Sequence, residues 1–142
     1  MTKNKKRLQL SANGVYSSSA RPALHTVVEM PEYLSRAHGL VSEAEREVIV
    51  NSLAANPTAG DLIVGSGGAR KLRWAAKGKG KSGGVRVITY FGGVGIPVFL
   101  LSVFGKGDKA NLTMKERNQL RGLLSTLAIE YRKGSKRRVK GR

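Results

Sequence analysis

The sequence predicts an α+β domain in which a small antiparallel sheet has helices packed on one face. Three strands are expected between residues 70 and 104, of which the last two are rich in β-branched and aromatic residues and are joined by the glycine-rich turn GGVG at residues 92–95. Two four-residue motifs, SEAE at residues 42–45 and TMKE at residues 113–116, have the pattern of a helix capping box. Apolar residues recur at helical spacing after each motif, so each predicted helix has an apolar face that can pack against the sheet.

The first half of the chain predicts one strand and two helices. A short apolar run at residues 26–29 predicts a strand, and Pro31 suits the first turn of a helix that ends near Gly39. Ser42 is the expected N-cap of a second helix, which should end near Asn56. The apolar stripe of that helix comprises Val48, Ile49 and Leu53.

The second half predicts three strands and a last helix. The strands are expected at residues 70–75, 85–91 and 96–104. Thr113 is the expected N-cap of the last helix, and we interpret the apolar stripe of this helix as core packing. The stripe comprises Leu120, Leu123, Leu124, Leu127, Ala128 and Tyr131. The predicted element order is therefore β-α-α-β-β-β-α.

The chain carries a net charge of +17, with 26 basic and 9 acidic residues, and much of this charge lies at its two ends. Residues 1–24 form a basic N-terminal arm and residues 133–142 a basic C-terminal tail, and we expect both to be solvated and disordered. One domain is left at residues 25–132. Such arms add sequence-independent attraction to a polyanion, although a solubilising role explains the N-terminal arm equally well.

A second concentration of charge lies inside the domain. No acidic residue occurs between residues 62 and 107. This charge pattern favours contact with nucleic acid over ordinary solvated charges. The basic residues of the region are Arg70, Lys71, Arg73, Lys77, Lys79, Lys81 and Arg86.

Strand alternation predicts where these cations point. Residues two apart in a strand share a face, so Lys71 and Arg73 should lie on an open face of the sheet, away from the helices. Arg86 and Tyr90 of the next strand are expected on the same face. Tyr90 either stacks on a base or packs the sheet. The lysines of the glycine-spaced loop should project from the end of this face and follow a phosphate backbone.

Several other classes of site are poorly supported by the sequence. A Walker A loop fails because Ala75 stands where the motif needs glycine, and because a strand rather than a helix follows. The chain has no cysteine, and His25 and His38 lack metal-ligand partners at useful spacing. We therefore expect no metal and no cofactor. The longest apolar runs are too short to span a membrane and no signal peptide is evident, so a cytoplasmic protein without a membrane partner is expected.

RNA carries its own nucleophile, so a site made of cations alone can cleave it. A base removes the proton of a 2′-hydroxyl, which attacks the neighbouring phosphate while cations stabilise the added negative charge. Arginine stays protonated in proteins, so Lys71 is the candidate base.

The segment GDLIVGSGGARKLRWAAKGKGKSGGVRVITYF at residues 60–91 resembles the RelE-like toxins of the HigB type from bacterial toxin-antitoxin modules. The resemblance continues through FLLSVFGK at residues 99–106 and Leu112-Thr113 into the last helix, and covers roughly residues 26–131. It implies a RelE-like fold and a metal-independent, ribosome-dependent mRNA endonuclease, or mRNA interferase. Such a toxin enters the ribosomal A site, cuts the codon there and is neutralised by a helix-turn-helix antitoxin.

The family's catalytic residues carry over onto Lys71, Arg73 and Arg86. Relatives often place a further arginine or a tyrosine after the last strand, where this chain has Lys106, which is therefore the fourth catalytic candidate. Two alternatives remain open: a non-catalytic RNA- or ribosome-binding protein, and a gyrase-targeting toxin of the same superfamily. The RNA-binding candidates are Arg70, Lys77, Lys79, Lys81 and Tyr90.

Overall fold

A computed structural model of the 142-residue chain describes residues 24–75, 84–105 and 111–140, with side chains described as far as residue 132. The predicted α+β class is confirmed. The elements in chain order are β1 (Val27–Glu29), α1 (Pro31–Ala37), α2 (Glu43–Ala55), β2 (Asp61–Leu62), β3 (Ala69–Trp74), β4 (Val85–Phe91), β5 (Val98–Gly105) and α3 (Met114–Lys140).

The five strands form one sheet in the order β1-β5-β4-β3-β2. Strands β2 to β5 pair antiparallel, but β1 pairs parallel with β5, with Val27 opposite Val98. The sheet is thus mixed, and the prediction of an antiparallel sheet was wrong at this edge. The two-residue strand β2 was not predicted, because the glycine-rich sequence around it indicated an irregular connection.

Both predicted capping boxes form. The Ser42 Oγ accepts the backbone N–H of Glu45 at 3.1 Å, and the Glu45 carboxylate accepts the N–H of Ser42 at 2.8 Å. Thr113 and Glu116 make the same reciprocal pair at 3.1 and 2.8 Å. Each box satisfies two N–H groups that a helix start leaves unpaired, which is why α2 and α3 begin where the motifs indicate.

Helices cover both faces of the sheet rather than one. On one face, α1 and α2 contribute Tyr33, Ala37, Ile49 and Leu53 to a cluster with Val85, Val87, Val98 and Leu100. On the other face, Leu120, Leu124, Leu127 and Tyr131 of α3 pack with Ile88, Tyr90, Phe99 and Phe104. The one-face prediction was wrong because β4 and β5 are buried on both sides, and such strands need cover on both faces.

The long helix α3 runs antiparallel to β5 along this second face. At its start, Asn111 contacts Lys71 of β3, and further along, Arg132 donates to the carbonyl oxygen of Gly92 in the β4–β5 turn at 3.3 Å. The helix continues to Lys140, so most of the predicted tail is helical. Lysine and arginine are good helix formers, which accounts for the extension.

Candidate nucleic-acid interface

Strand register places three of the predicted cations side by side. Arg73 of β3 is directly opposite Arg86 of β4, and Lys71 is opposite Ile88 two pairs further along. Opposed residues in an antiparallel pair share a face, with Cβ atoms about 4.5–5.5 Å apart. Lys71, Arg73 and Arg86 therefore form a basic cluster on the α3 side of the sheet, near the start of that helix.

The opposed arginines are an electrostatic cost to the sheet. Like charges directly across an antiparallel pair are destabilising, and Arg86 is only 9% exposed. Arg73 is exposed, so its guanidinium is open to solvent on one side of the pair. A phosphate that bridges the two forks would relieve the repulsion and gain charge-assisted hydrogen bonds. The pair is therefore suited to an anion.

Asn111 holds the third member of the basic cluster. The Lys71 Nζ donates to the Asn111 Oδ1 at 2.8 Å, a contact between β3 and a residue two positions before Thr113, where the capping box of α3 begins. Sequence reasoning missed Asn111, because no motif marks an amide that meets a lysine 40 positions earlier. The start of α3 thus fixes the position of the candidate base.

Arg70 lies apart from the basic cluster. Alternation along β3 puts Arg70 on the face of Leu72 and Trp74, which pack against the α1 and α2 side. Its Nη1 donates to the carbonyl oxygen of Gly60 at 3.1 Å, so the half-buried side chain ties β3 to the segment before β2.

Tyr90 packs the sheet, one of the two roles considered from its sequence position. The side chain is 8% exposed, and its ring stacks on Phe99 with centroids 6.4 Å apart and planes at 17°. A Cβ at Gly92 would lie 2.8 Å from the Tyr90 hydroxyl oxygen, so glycine is required there. With Arg86 and Tyr90 both buried, the expectation of an open face was wrong for the middle strand.

Four candidate residues, Lys77, Lys79, Lys81 and Lys106, lie outside the described residues. Their roles stay predictions.

A cleft of about 250 Å³ lies beside the basic cluster, on the same face of the sheet. Its floor includes Ile88, which is opposite Lys71, and Phe104, which is opposite Arg86. Elements α1 and α3 form its walls. Sequence reasoning did not find this cleft, because four separate elements build it.

Tyr33 is the residue whose pKa is most clearly displaced, and it lies in the other core. Burial raises the pKa of Tyr33 to about 12, repulsion from Glu29 adds to the effect, and Arg46 opposes it. Within the described part of the chain, the Tyr33 hydroxyl is buried without a hydrogen-bond partner. Tyr33 is therefore a neutral core residue on the face away from the basic cluster.

Among residues 24–75, 84–105 and 111–132, no cluster of histidine and carboxylate side chains could hold a metal ion. No helix in the described part of the chain has both the length and the apolar character to cross a bilayer. No protein-family model matches the chain.

Proposed function

We propose that this protein is a RelE-like toxin of the HigB type, a ribosome-dependent mRNA endonuclease that stops translation by cutting mRNA in the A site. The observation that carries the proposal is the basic cluster, in which Arg73 and Arg86 are opposed across two strands with Lys71 beside them. Such a site binds a phosphate and stabilises charge that develops on it. The resemblance at residues 60–91 supplies the choice of RNA and ribosome.

The reaction uses the 2′-hydroxyl of the RNA itself. Lys71 is the candidate base that accepts the proton of that hydroxyl, and its Nζ is positioned by the hydrogen bond that it donates to the Asn111 Oδ1. The 2′-oxygen attacks the adjacent phosphorus, and the bond from phosphorus to the 5′-oxygen breaks. Arg73 and Arg86 stabilise the added negative charge, and Lys106 is the candidate acid for the leaving oxygen. The products are a 2′,3′-cyclic phosphate and a 5′-hydroxyl.

Incubating the purified protein with mRNA, with and without programmed ribosomes, tests the proposal. Cuts at codon positions that depend on ribosomes are the expected result. Binding of RNA or ribosomes without cuts would favour the non-catalytic alternative. Double-strand breaks in plasmid DNA that depend on gyrase, without RNA cleavage, would favour the gyrase-targeting alternative.

A free endonuclease of this kind arrests growth, so the proposal includes a cytoplasmic helix-turn-helix antitoxin. Its acidic or apolar surface should cover the basic cluster, and opposite charges would speed association. Co-expression with the protein encoded beside it should restore growth and yield a stable complex. Unchanged growth arrest together with failure to isolate a complex would remove the antitoxin from the proposal.

A further inference from the structure

The cleft beside the basic cluster has the size and lining of a site for one planar ring system. Its volume of about 250 Å³ is below the range of about 300–1,000 Å³ that is typical of sites for drug-sized ligands. Ile88 and Phe104 form an apolar floor, and Leu112 and Leu120 form apolar walls. Leu123 of the same wall is 41% exposed, so the apolar stripe of α3 is left partly uncovered here.

The position of the cleft connects it to the basic cluster. Ile88 and Phe104 are the cross-strand partners of Lys71 and Arg86. Neighbouring strands lie about 4.8 Å apart, so a group on the cleft floor is about one strand spacing from the basic cluster. A ligand in the cleft can therefore belong to the same nucleotide as a phosphate held by the cations.

The polar residues at the rim of the cleft favour a base over a phosphate as the ligand. Two carboxylates, Glu32 and Glu116, line the cleft, and the Arg36 Nε that accompanies them lies 3.3 Å from the Glu32 Oε2. With two carboxylates against one guanidinium, the charge of the rim disfavours a second phosphate. Gln119 and Ser102 add groups that can both donate and accept hydrogen bonds.

We infer that the cleft between α1 and α3 takes the nucleobase next to the phosphate on the basic cluster, and prefers bases that carry an exocyclic amino group. Adenine, cytosine and guanine can donate that amino group to the acceptors of the rim, whereas uracil has none. Unstacked bases in single-stranded RNA are recognised in this way, by apolar contact with the ring and hydrogen bonds to its edge. The inference rests on the proposed function for the identity of the nucleic acid.

Titration of the isotope-labelled full chain with AMP, CMP, GMP and UMP, followed by NMR, tests the cleft without requiring cleavage. The three amino-bearing nucleotides should shift resonances of Ile88, Ser102 and Leu120, and UMP should bind about three- to tenfold more weakly, the loss expected for one hydrogen bond. Equal affinities for all four nucleotides, or shifts confined to Lys71, Arg73 and Arg86, would overturn the inference.

Two variants test the rim, and a third variant outside the cleft is the control. Glu32→Gln replaces an acceptor with an amide that can also donate to the uracil carbonyl, so it should reduce the discrimination against UMP, at the cost of one exposed ion pair. Gln119 is exposed and its amide can pair with either kind of base edge, so Gln119→Ala should leave the fold unchanged and weaken all four nucleotides by a similar factor. Ser125→Ala changes an exposed position of α3 that does not line the cleft, and it should keep the normal affinity and preference. Normal discrimination in Glu32→Gln would overturn the assignment.

Cleavage on ribosomes programmed with codons that differ by one base separates this inference from the proposed function. Loss of cleavage with nucleotide binding in the cleft intact would contradict the endonuclease and leave the cleft supported. Cleavage at equal rates whichever base flanks the cut would support the endonuclease and contradict the cleft.

Discussion

Replacing Arg86 with methionine should abolish cleavage and preserve the fold. Arg86 lies in β4 between Arg73 of β3 and Phe104 of β5, and is 9% exposed. Truncation to alanine would remove a buried aliphatic stem as well as the charge, so loss of activity could be confused with loss of packing. Methionine retains a stem of similar length, and the Arg86→Met variant therefore isolates the guanidinium.

The expected effects on rate and on stability differ enough to be separated. Removing one preorganised donor to a developing anion costs about a hundred- to a thousandfold in rate. The free energy of unfolding should change by less than about 1.5 kcal/mol, because the volume is nearly conserved and the repulsion with Arg73 is relieved. Small domains are stable by about 5–15 kcal/mol, so the variant stays folded and unfolding cannot explain a hundredfold loss.

The assay compares single-turnover cleavage on ribosomes, thermal unfolding and ribosome affinity for three variants. Arg70→Met is the matched control, because Arg70 contacts Gly60 on the opposite face. It should lose about 0.5–1.5 kcal/mol of stability with its hydrogen bond and still cut normally. Arg86→Lys keeps the positive charge but loses the forked donor geometry of the guanidinium. Its cleavage rate should therefore lie between those of the wild type and Arg86→Met. A near-normal rate for Arg86→Met, or an equal loss in Arg70→Met, would refute the reasoning.

Three further predictions concern the candidate base, the core on the α1 and α2 side of the sheet, and the basic arms. Asn111→Ala should lower the cleavage rate up to about a hundredfold by releasing Lys71, with little change in the thermal midpoint because Asn111 is exposed; an unchanged rate would show that Lys71 needs no such support. Tyr33→Phe should be as stable as the wild type or more so, since the hydroxyl is buried and unpaired. Because the pKa of Tyr33 is about 12 when folded and near 10 when unfolded, wild-type stability should fall as pH rises above about 10, and less so in the variant; identical alkaline unfolding curves would contradict this. Residues 24–131 alone should cut at the same positions, with weaker ribosome binding and a shallower salt dependence, and lost cutting by a folded fragment would contradict this.

Local signals predicted the parts of the fold that depend on neighbouring residues. The capping boxes at Ser42 and Thr113 form as the motifs indicate, because their partners are three residues away. Strand alternation likewise placed Lys71 and Arg73 on one face, with Arg86 across from them. In α2, Ile49 and Leu53 are buried as expected, but Val48 is 54% exposed.

Contacts between distant parts of the chain could not be predicted in this way. The parallel pairing of β1 with β5 joins the first strand of the chain to the last, and no local pattern encodes it. Helix α3 covers one face of the sheet because β4 and β5 are buried on both faces. A run such as VRVITY does not show by itself that both of its faces are buried. The contact of Asn111 with Lys71 and the cleft beside it depend on that same placement.

The most direct test of the central claim is to map RNA ends after incubating the wild-type chain with ribosomes carrying a defined codon in the A site. We predict cuts within that codon only when ribosomes are present, with a 2′,3′-cyclic phosphate on one product and a 5′-hydroxyl on the other. Cleavage of free mRNA at the same rate, or ribosome binding with the codon left intact, would contradict a ribosome-dependent endonuclease.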